Sequence, residues 1–295
     1  MTPPPSATPA TSSPTAAVVP APGTPAPADV GCPQPIVTRI PSPLHGIYSV
    51  WRRHVFLYSR TWLINFIPPI TEPLFYLLAF GFGLAPMVGD FVVNGQPVGY
   101  LKFIGPAMIA VGVCFQGFFE SAYGSFIRLR FQRTWHALLT GPLGFREIFF
   151  GDLLWATTKG AIAGIITGIV VLLLGQITLG GLLFTLPFIF LGSLMFACLG
   201  MMTTGLVKNI DQINVPVFLF MIPMFTFSGT FFPRSNMPDA IATIAGLLPL
   251  GQLVDLIRLP VVYDPTWPQD LIGILLWTLI AVIVAYRIIY RQVFK

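Results

Sequence analysis

Charge is what this chain has least of. Only 9% of its 295 residues are Asp, Glu, Lys or Arg, against about 25% in an ordinary soluble domain. So little charge cannot cover an aqueous surface, which excludes a water-soluble globule and makes lipid the solvent. Cysteine and histidine are scarce as well, with three of each. Cys32, Cys114 and Cys198 lack metal-ligand spacing and two of them fall inside apolar runs, so no disulfide framework or metal site is implied. His45, His54 and His136 do not cluster with the acids Glu72 and Glu120 at one depth, as a lipid-acting membrane enzyme would need. Also missing are a phosphate loop, a His-x-x-x-His pair and a Gly-x-Ser-x-Gly elbow. The chain therefore carries no nucleotide-binding or hydrolase signature and implies no cofactor. Its energy must come from a gradient or from a partner.

Apolar sequence is what there is most of: 55% of residues, with a mean hydropathy of +0.79. A bilayer core about 30 Å thick needs ~20 apolar residues in a helix. Six stretches qualify, at 63–84, 103–125, 150–174, 182–206, 214–232 and 270–290. The fold class expected is an all-α membrane protein over residues 43–295. Residues 1–42 form a Pro/Ala/Thr/Ser-rich tail with Asp29 its only charge before Arg39. Such a tail has too few apolar residues to offset ordering entropy and reads as disordered. It also lacks the basic start and continuous apolar core of a signal peptide.

The net charge of +5 invites a nucleic-acid reading, but the cations sit in short segments flanking the spans. Arg52, Arg53 and Arg60 precede the first span; Arg128, Arg130, Arg133 and Arg146 lie between the second and third. Lys159 falls early in the third span, Lys208 follows the fourth, and Arg287, Arg291 and Lys295 close the chain. The opposite side holds only Lys102, Arg234 and Arg258, beside Asp90, Asp239, Asp255, Asp264 and Asp270. The positive-inside bias is met at every loop by six spans with both termini in the cytoplasm.

Residues 46–62 mix Trp51, Arg52, Arg53, His54 and Arg60 with aromatic and aliphatic neighbours, as suits a helix in the headgroup plane with its cations outward. After the second span, Trp135, Leu138 and Leu139 share one face of a short helix at 132–140, stopped by Gly141-Pro142. Between the fifth and sixth spans, two apolar runs at 240–248 and 250–259 are each too short to cross. Separated by Pro249, they read as re-entrant half-helices. Glu72 and Glu120 are the intramembrane acids. A charge there costs at least ~2.5–3.5 kcal/mol unless it faces protein or water, and pairing of Glu120 with an inner arginine or Lys159 is expected. Gly160, Gly164 and Gly168 form a small-residue face, assigned to packing within the bundle ahead of a subunit contact. Pro68, Pro69, Pro73, Pro216 and Pro223 interrupt helical hydrogen bonding in the first and fifth spans.

Taken together, these pieces resemble the membrane subunit of a type-2 ABC exporter. The most specific run is 227–258, with Phe232-Pro233, Met237-Pro238, Leu248-Pro249-Leu250, and Asp255 with Arg258. Within that family, 131–143 and Gly151-Asp152 to Lys159 resemble the permeases of nodulation-type lipo-oligosaccharide exporters. Gly141-Pro142-Leu143 and Gly151-Asp152 depart mildly from the Thr-Pro-Leu and Gly-Glu of related permeases. The resemblance implies a homodimer of this chain with two ATP-binding ABC subunits, in a bacterial inner membrane. Arg133, Trp135, His136, Leu138 and Leu139 would meet the ATPase, and the interfacial helix with Trp51, Arg52, Arg53 and Arg60 would flank it. The cargo implied is an amphipathic or lipid-linked molecule, with no nucleic acid among the partners. A gradient-driven secondary transporter is the alternative; inverted repeats would mark it, and none is detected.

Overall fold

The computed structural model describes residues 42–61, 67, 71, 74–93 and 96–294. Glu72, Pro68, Pro69, Pro73 and the tail 1–41 lie outside these residues. Helix α1 spans Pro43–Ser59, with Ser42 accepting a hydrogen bond from the His45 backbone and Pro43 opening the first turn. An apolar helix α2 covers Leu74–Met87, the second half of the expected first span. A short hairpin follows, β1 Asp90–Val93 against β2 Gln96–Gly99, with Asp90 opposite Gly99.

Then come the long helices: α3 Tyr100–Phe131, the short α4 (Thr134–Leu139), α5 Phe145–Leu173, α6 Leu179–Leu206 and α7 Ile210–Phe227. The helices α8 Asp239–Leu247 and α9 Pro249–Arg258 meet at 83°, and α10 Trp267–Val293 ends the chain. Among the described residues, five helices are long and apolar enough to cross a bilayer, or six if the bent pair counts as one span. Each of α3, α5, α6 and α10 has at least 27 residues, about 40 Å at 1.5 Å per residue, so each exceeds a ~30 Å apolar layer. Leu248 in extended backbone and Pro249 at the start of α9 make the bend, since proline fits the first helical turn but not the interior.

The centre of the bundle is α3, α5 and α6 packed on one another, with α9 against α3 and α10 against α6. Gly160, Gly164 and Gly168 face α3 and α6 inside the bundle. A Cβ at Gly160 would come within 3.1 Å of the Gly117 backbone, and one at Gly164 would strike Val113 and reach 3.0 Å from Ile189. The small face is thus an internal seam, as the sequence reading preferred.

Two differences from the expected boundaries have physical causes. The second span does not end near 125 but runs to Phe131 through π-helical turns at Glu120–Gly124 and Ile127–Phe131. Arg128 and Arg130 are therefore helical, and Arg128 is held there by buried carboxylates. The fifth span starts earlier, at Ile210, and Pro216 is followed directly by a π-helical turn at Val217–Met221. Proline has no N–H to donate, so the local hydrogen-bond ladder shifts there.

Gly164→Val should lower the detergent unfolding temperature, since overpacking a filled seam costs about 1–3 kcal/mol. Gly180→Val, at a site with open space around it, should leave the temperature nearly unchanged. Equal midpoints for the two variants would contradict the internal seam.

Candidate functional site

Most of the buried charge collects where α1 crosses the bundle, beside α4. Gly151 makes the crossing close: a Cβ there would sit 2.6 Å from Val50 Cβ and 3.0 Å from the Ile47 carbonyl oxygen. Next to it on α5, Asp152 is 1% exposed. Its Oδ1 lies 3.0 Å from His54 Nε2 and 2.8 Å from Arg128 Nε, and its Oδ2 accepts from Ser125 Oγ at 2.6 Å. Arg128 also donates through Nη1 to Glu120 Oε1 at 3.0 Å and through Nη2 to Ser125 Oγ at 3.1 Å. Glu120 Oε1 accepts from Trp155 Nε1 at 2.9 Å, and Oε2 from Lys159 Nζ at 2.7 Å. The result is one polar chain, His54–Asp152–Arg128–Glu120–Lys159, whose last four members alternate in charge and which joins α1, α3 and α5.

The π-helical turns make this chain possible. Glu120 and Arg128 are eight residues apart, roughly 80° out of line on a straight α-helix. One residue absorbed in a wide turn brings them to within roughly 20° of each other, and both then face α5.

Around the charges lies an aromatic collar. His54 stacks on Trp155 at 5.8 Å between ring centroids, Tyr58 meets Trp155 edge-on at 5.3 Å, and Lys159 Nζ sits 5.7 Å over the Tyr58 ring. Burial first, and the Glu120 carboxylate second, raise the Tyr58 phenol above its ordinary value. Trp51 Nε1 donates to Thr158 Oγ1 at 3.0 Å, a second tie from α1 to α5. Arg52, Arg53 and Arg60 are exposed as expected, with Arg60 4.9 Å over its own neighbour Phe56. His54, expected outward with them, is instead buried, because Asp152 lies across the helix crossing to receive it.

At the expected ATPase-facing helix, the structure reverses one face. Trp135 is 2% exposed and packs edge-on against Phe145, while Leu138 and Leu139 are half-buried on the same core. These three seat α4 on the bundle and do not point away from it, because burying the indole against α5 removes far more apolar surface from water. The outward residues are Gln132, Arg133, His136, Ala137 and Thr140. Arg133 has φ +50° and begins the turn into α4.

At the far edge, Asp255 and Arg258 of the expected outer motif lie close to one another and to Arg234. Arg258 is 7% exposed, donates to the carbonyls of Phe103 (3.3 Å) and Gly229 (3.0 Å), and lies 3.8 Å over the Phe103 ring. Asp255 pairs with Arg234 and sits 3.9 Å from Arg258 Nη1. Gly229 has φ +77°, a left-handed turn that costs glycine little and aims its carbonyl at Arg258. Pro233 is buried and Pro249 opens α9, whereas Phe232 and Pro238 are exposed. Asp152 is the residue that sequence reasoning missed: a third acid within the apolar spans, visible as an Asp inside 150–174 but passed over as part of a motif. Among the described residues, no three His, Cys, Asp or Glu side chains come together as a metal site would need.

Removing one member of a buried pair strands its partner, which costs roughly 3–5 kcal/mol. Asp152→Asn should therefore lower the unfolding temperature in detergent clearly, and Arg60→Gln should not. If limited proteolysis cuts α1 no faster in Asp152→Asn than in the parent chain, the charge chain does not hold α1 in place.

Comparison with known proteins adds an independent line. The ABC-2 type transporter family matches residues 45–260. Nodulation protein J of Rhizobium leguminosarum bv. trifolii is 37% identical over 222 residues, 75% of this chain and 83% of that protein. Nodulation protein J of R. leguminosarum bv. viciae is 38% identical over 210 residues, 71% and 80% of the two chains. Its counterpart in Rhizobium meliloti (strain 1021) is 36% identical over 210 residues, 71% and 79%. Five long apolar helices among the described residues, a short helix held at one edge and a matching stretch that covers all but the tail and the last helix agree: this chain belongs to the ABC-2 type transporter family, as a membrane subunit of such a transporter.

Proposed function

We propose that the chain is the membrane half of an ATP-driven exporter in a bacterial cytoplasmic membrane. Two copies pair with two ATP-binding subunits, both termini face the cytoplasm, and an amphipathic or lipid-linked molecule is carried outward. A glycolipid, lipo-oligosaccharide or drug-like cargo suits such an apolar bundle. ATP hydrolysis belongs to the partner, and this chain supplies the path. The observation that carries the reading is α4. It is too short to be stable alone, yet its Trp135 face is anchored and its Arg133–His136–Ala137 face is left outward. A rigid lever of that kind transmits a partner's motion, and the Asp152–Arg128–Glu120 chain links its neighbourhood to α1, α3 and α5. A switch requires a difference in contacts between two states, and these are the contacts a moving ATPase would bias.

Arg133→Glu with His136→Glu should cut the ATPase activity that co-purifies with the tagged chain from native membranes by about tenfold or more, as loss of an interface anchor does. The amount of chain in the membrane should not change. Full recovery of ATPase activity with this double variant would remove α4 as the docking element. Uphill cargo movement by the purified chain without nucleotide would favour a gradient-driven carrier instead.

Orientation has its own test. In a Cys32→Ser background, Asp239→Cys and Gln269→Cys should react with an impermeant thiol reagent only from outside. Gly141→Cys should react only from inside. Cys114 and Cys198 are buried and should stay silent. Labelling of Asp239→Cys from the cytoplasm would overturn the topology.

A further inference from the structure

Beside the charge chain lies a cleft of about 290 Å³ between α1 and α3, floored by α5. We propose that it binds a phosphate group, as carried by the headgroup of an anionic lipid. The argument is an imbalance between donors and acceptors. Glu120 is engaged at both oxygens, by Arg128 and Trp155 at one and Lys159 at the other. Asp152 is likewise engaged by Ser125, His54 and Arg128. Every oxygen of these two acids therefore already faces a donor of the cluster itself.

Donors are in surplus. A lysine has three N–H groups and an arginine five, so Lys159 and Arg128 retain donors after their bonds to these acids. Arg53 is exposed on the rim and makes no ion pair among the described residues. Gln132 adds an amide N–H at the α3 end, and the Tyr58 and Trp155 rings form part of the wall. Three cations against two carboxylates, one of them sealed behind the wall, leave a net positive hollow at the edge of an apolar bundle. Basic pockets between membrane helices at that depth suit phosphate headgroups, whose oxygens take the spare N–H groups while the tails stay in the lipid.

Native mass spectrometry of the purified full chain in neutral detergent tests this, with phosphatidylglycerol and phosphatidylcholine offered in turn. Phosphatidylglycerol should be retained preferentially. Arg53→Gln and Lys159→Gln should each weaken its retention about fivefold, the worth of one cation toward an anionic headgroup. Lys208→Gln, at an exposed position elsewhere on that edge, should not. Competition by inorganic phosphate would assign the affinity to the phosphate itself; persistence against it would assign it to headgroup and tails together. Equal retention of the two lipids, or full retention in Arg53→Gln, would overturn the proposal. Arg53→Gln decides if Lys159→Gln fails to fold, because Arg53 makes no ion pair among the described residues. Binding is read without an ATPase or cargo, so its failure stays separate from failure of the exporter reading.

Discussion

Everything at the α1 edge depends on one constraint: a charge carried below the surface of an apolar bundle must find its opposite there. Glu120, Arg128, Asp152 and Lys159 sit within long apolar helices, where an isolated ion costs several kcal/mol. They meet as one alternating chain, with contacts of 2.7–3.0 Å between successive members. Pairing of this kind contributes little net stability over an apolar substitute, yet it is specific, since a slip of one residue would strand several ions at once. The π-helical turns in α3, the close crossing at Gly151 and the burial of His54 all follow from meeting that demand.

Packing by small residues makes the demand achievable. Without a hydrophobic drive between helices in lipid, close approach and dispersion must hold them together. The seam of Gly160, Gly164 and Gly168 lets α3 and α6 close on α5, and Gly151 does the same for α1. Helices held that near bring side chains from three elements within hydrogen-bond reach. At the far edge Arg258 works in a similar way, tying the bent pair to α3 through the Phe103 carbonyl and ring face and to the turn after α7 through the Gly229 carbonyl. The ion pairs lie toward two edges of the bundle, and between them the helices are joined by neutral groups such as Ser193, which donates to the Thr157 carbonyl at 2.7 Å.

Much of this was legible in the residues. Long apolar runs, the small-residue stripe, the Pro249 break and the short helix ahead of Gly141-Pro142 announced their elements within a few positions. Pairing of Glu120 with an arginine or with Lys159 was also readable, because the acid falls close to the end of its span where the cations gather, and the structure supplies both partners. Harder to read was the meeting of His54 with Asp152, which joins two helices almost a hundred residues apart in the chain. The face of α4 was misjudged for a related reason. Periodicity identifies Trp135, Leu138 and Leu139 as one stripe, but a stripe has no sign: it says what is apolar, not whether the bundle or a partner covers it.

Composition and hydropathy alone determined that lipid is the solvent, which segments are helical and where the chain turns back. Those are properties of single segments, set by the cost of leaving backbone and charge unsatisfied in an apolar layer. Only the tertiary structure decided which ions pair, which rings close around them and which face of α4 is left outward. Such choices arise from distances between helices, and these depend on side-chain volumes meeting across α1, α3, α5 and α6 all at once.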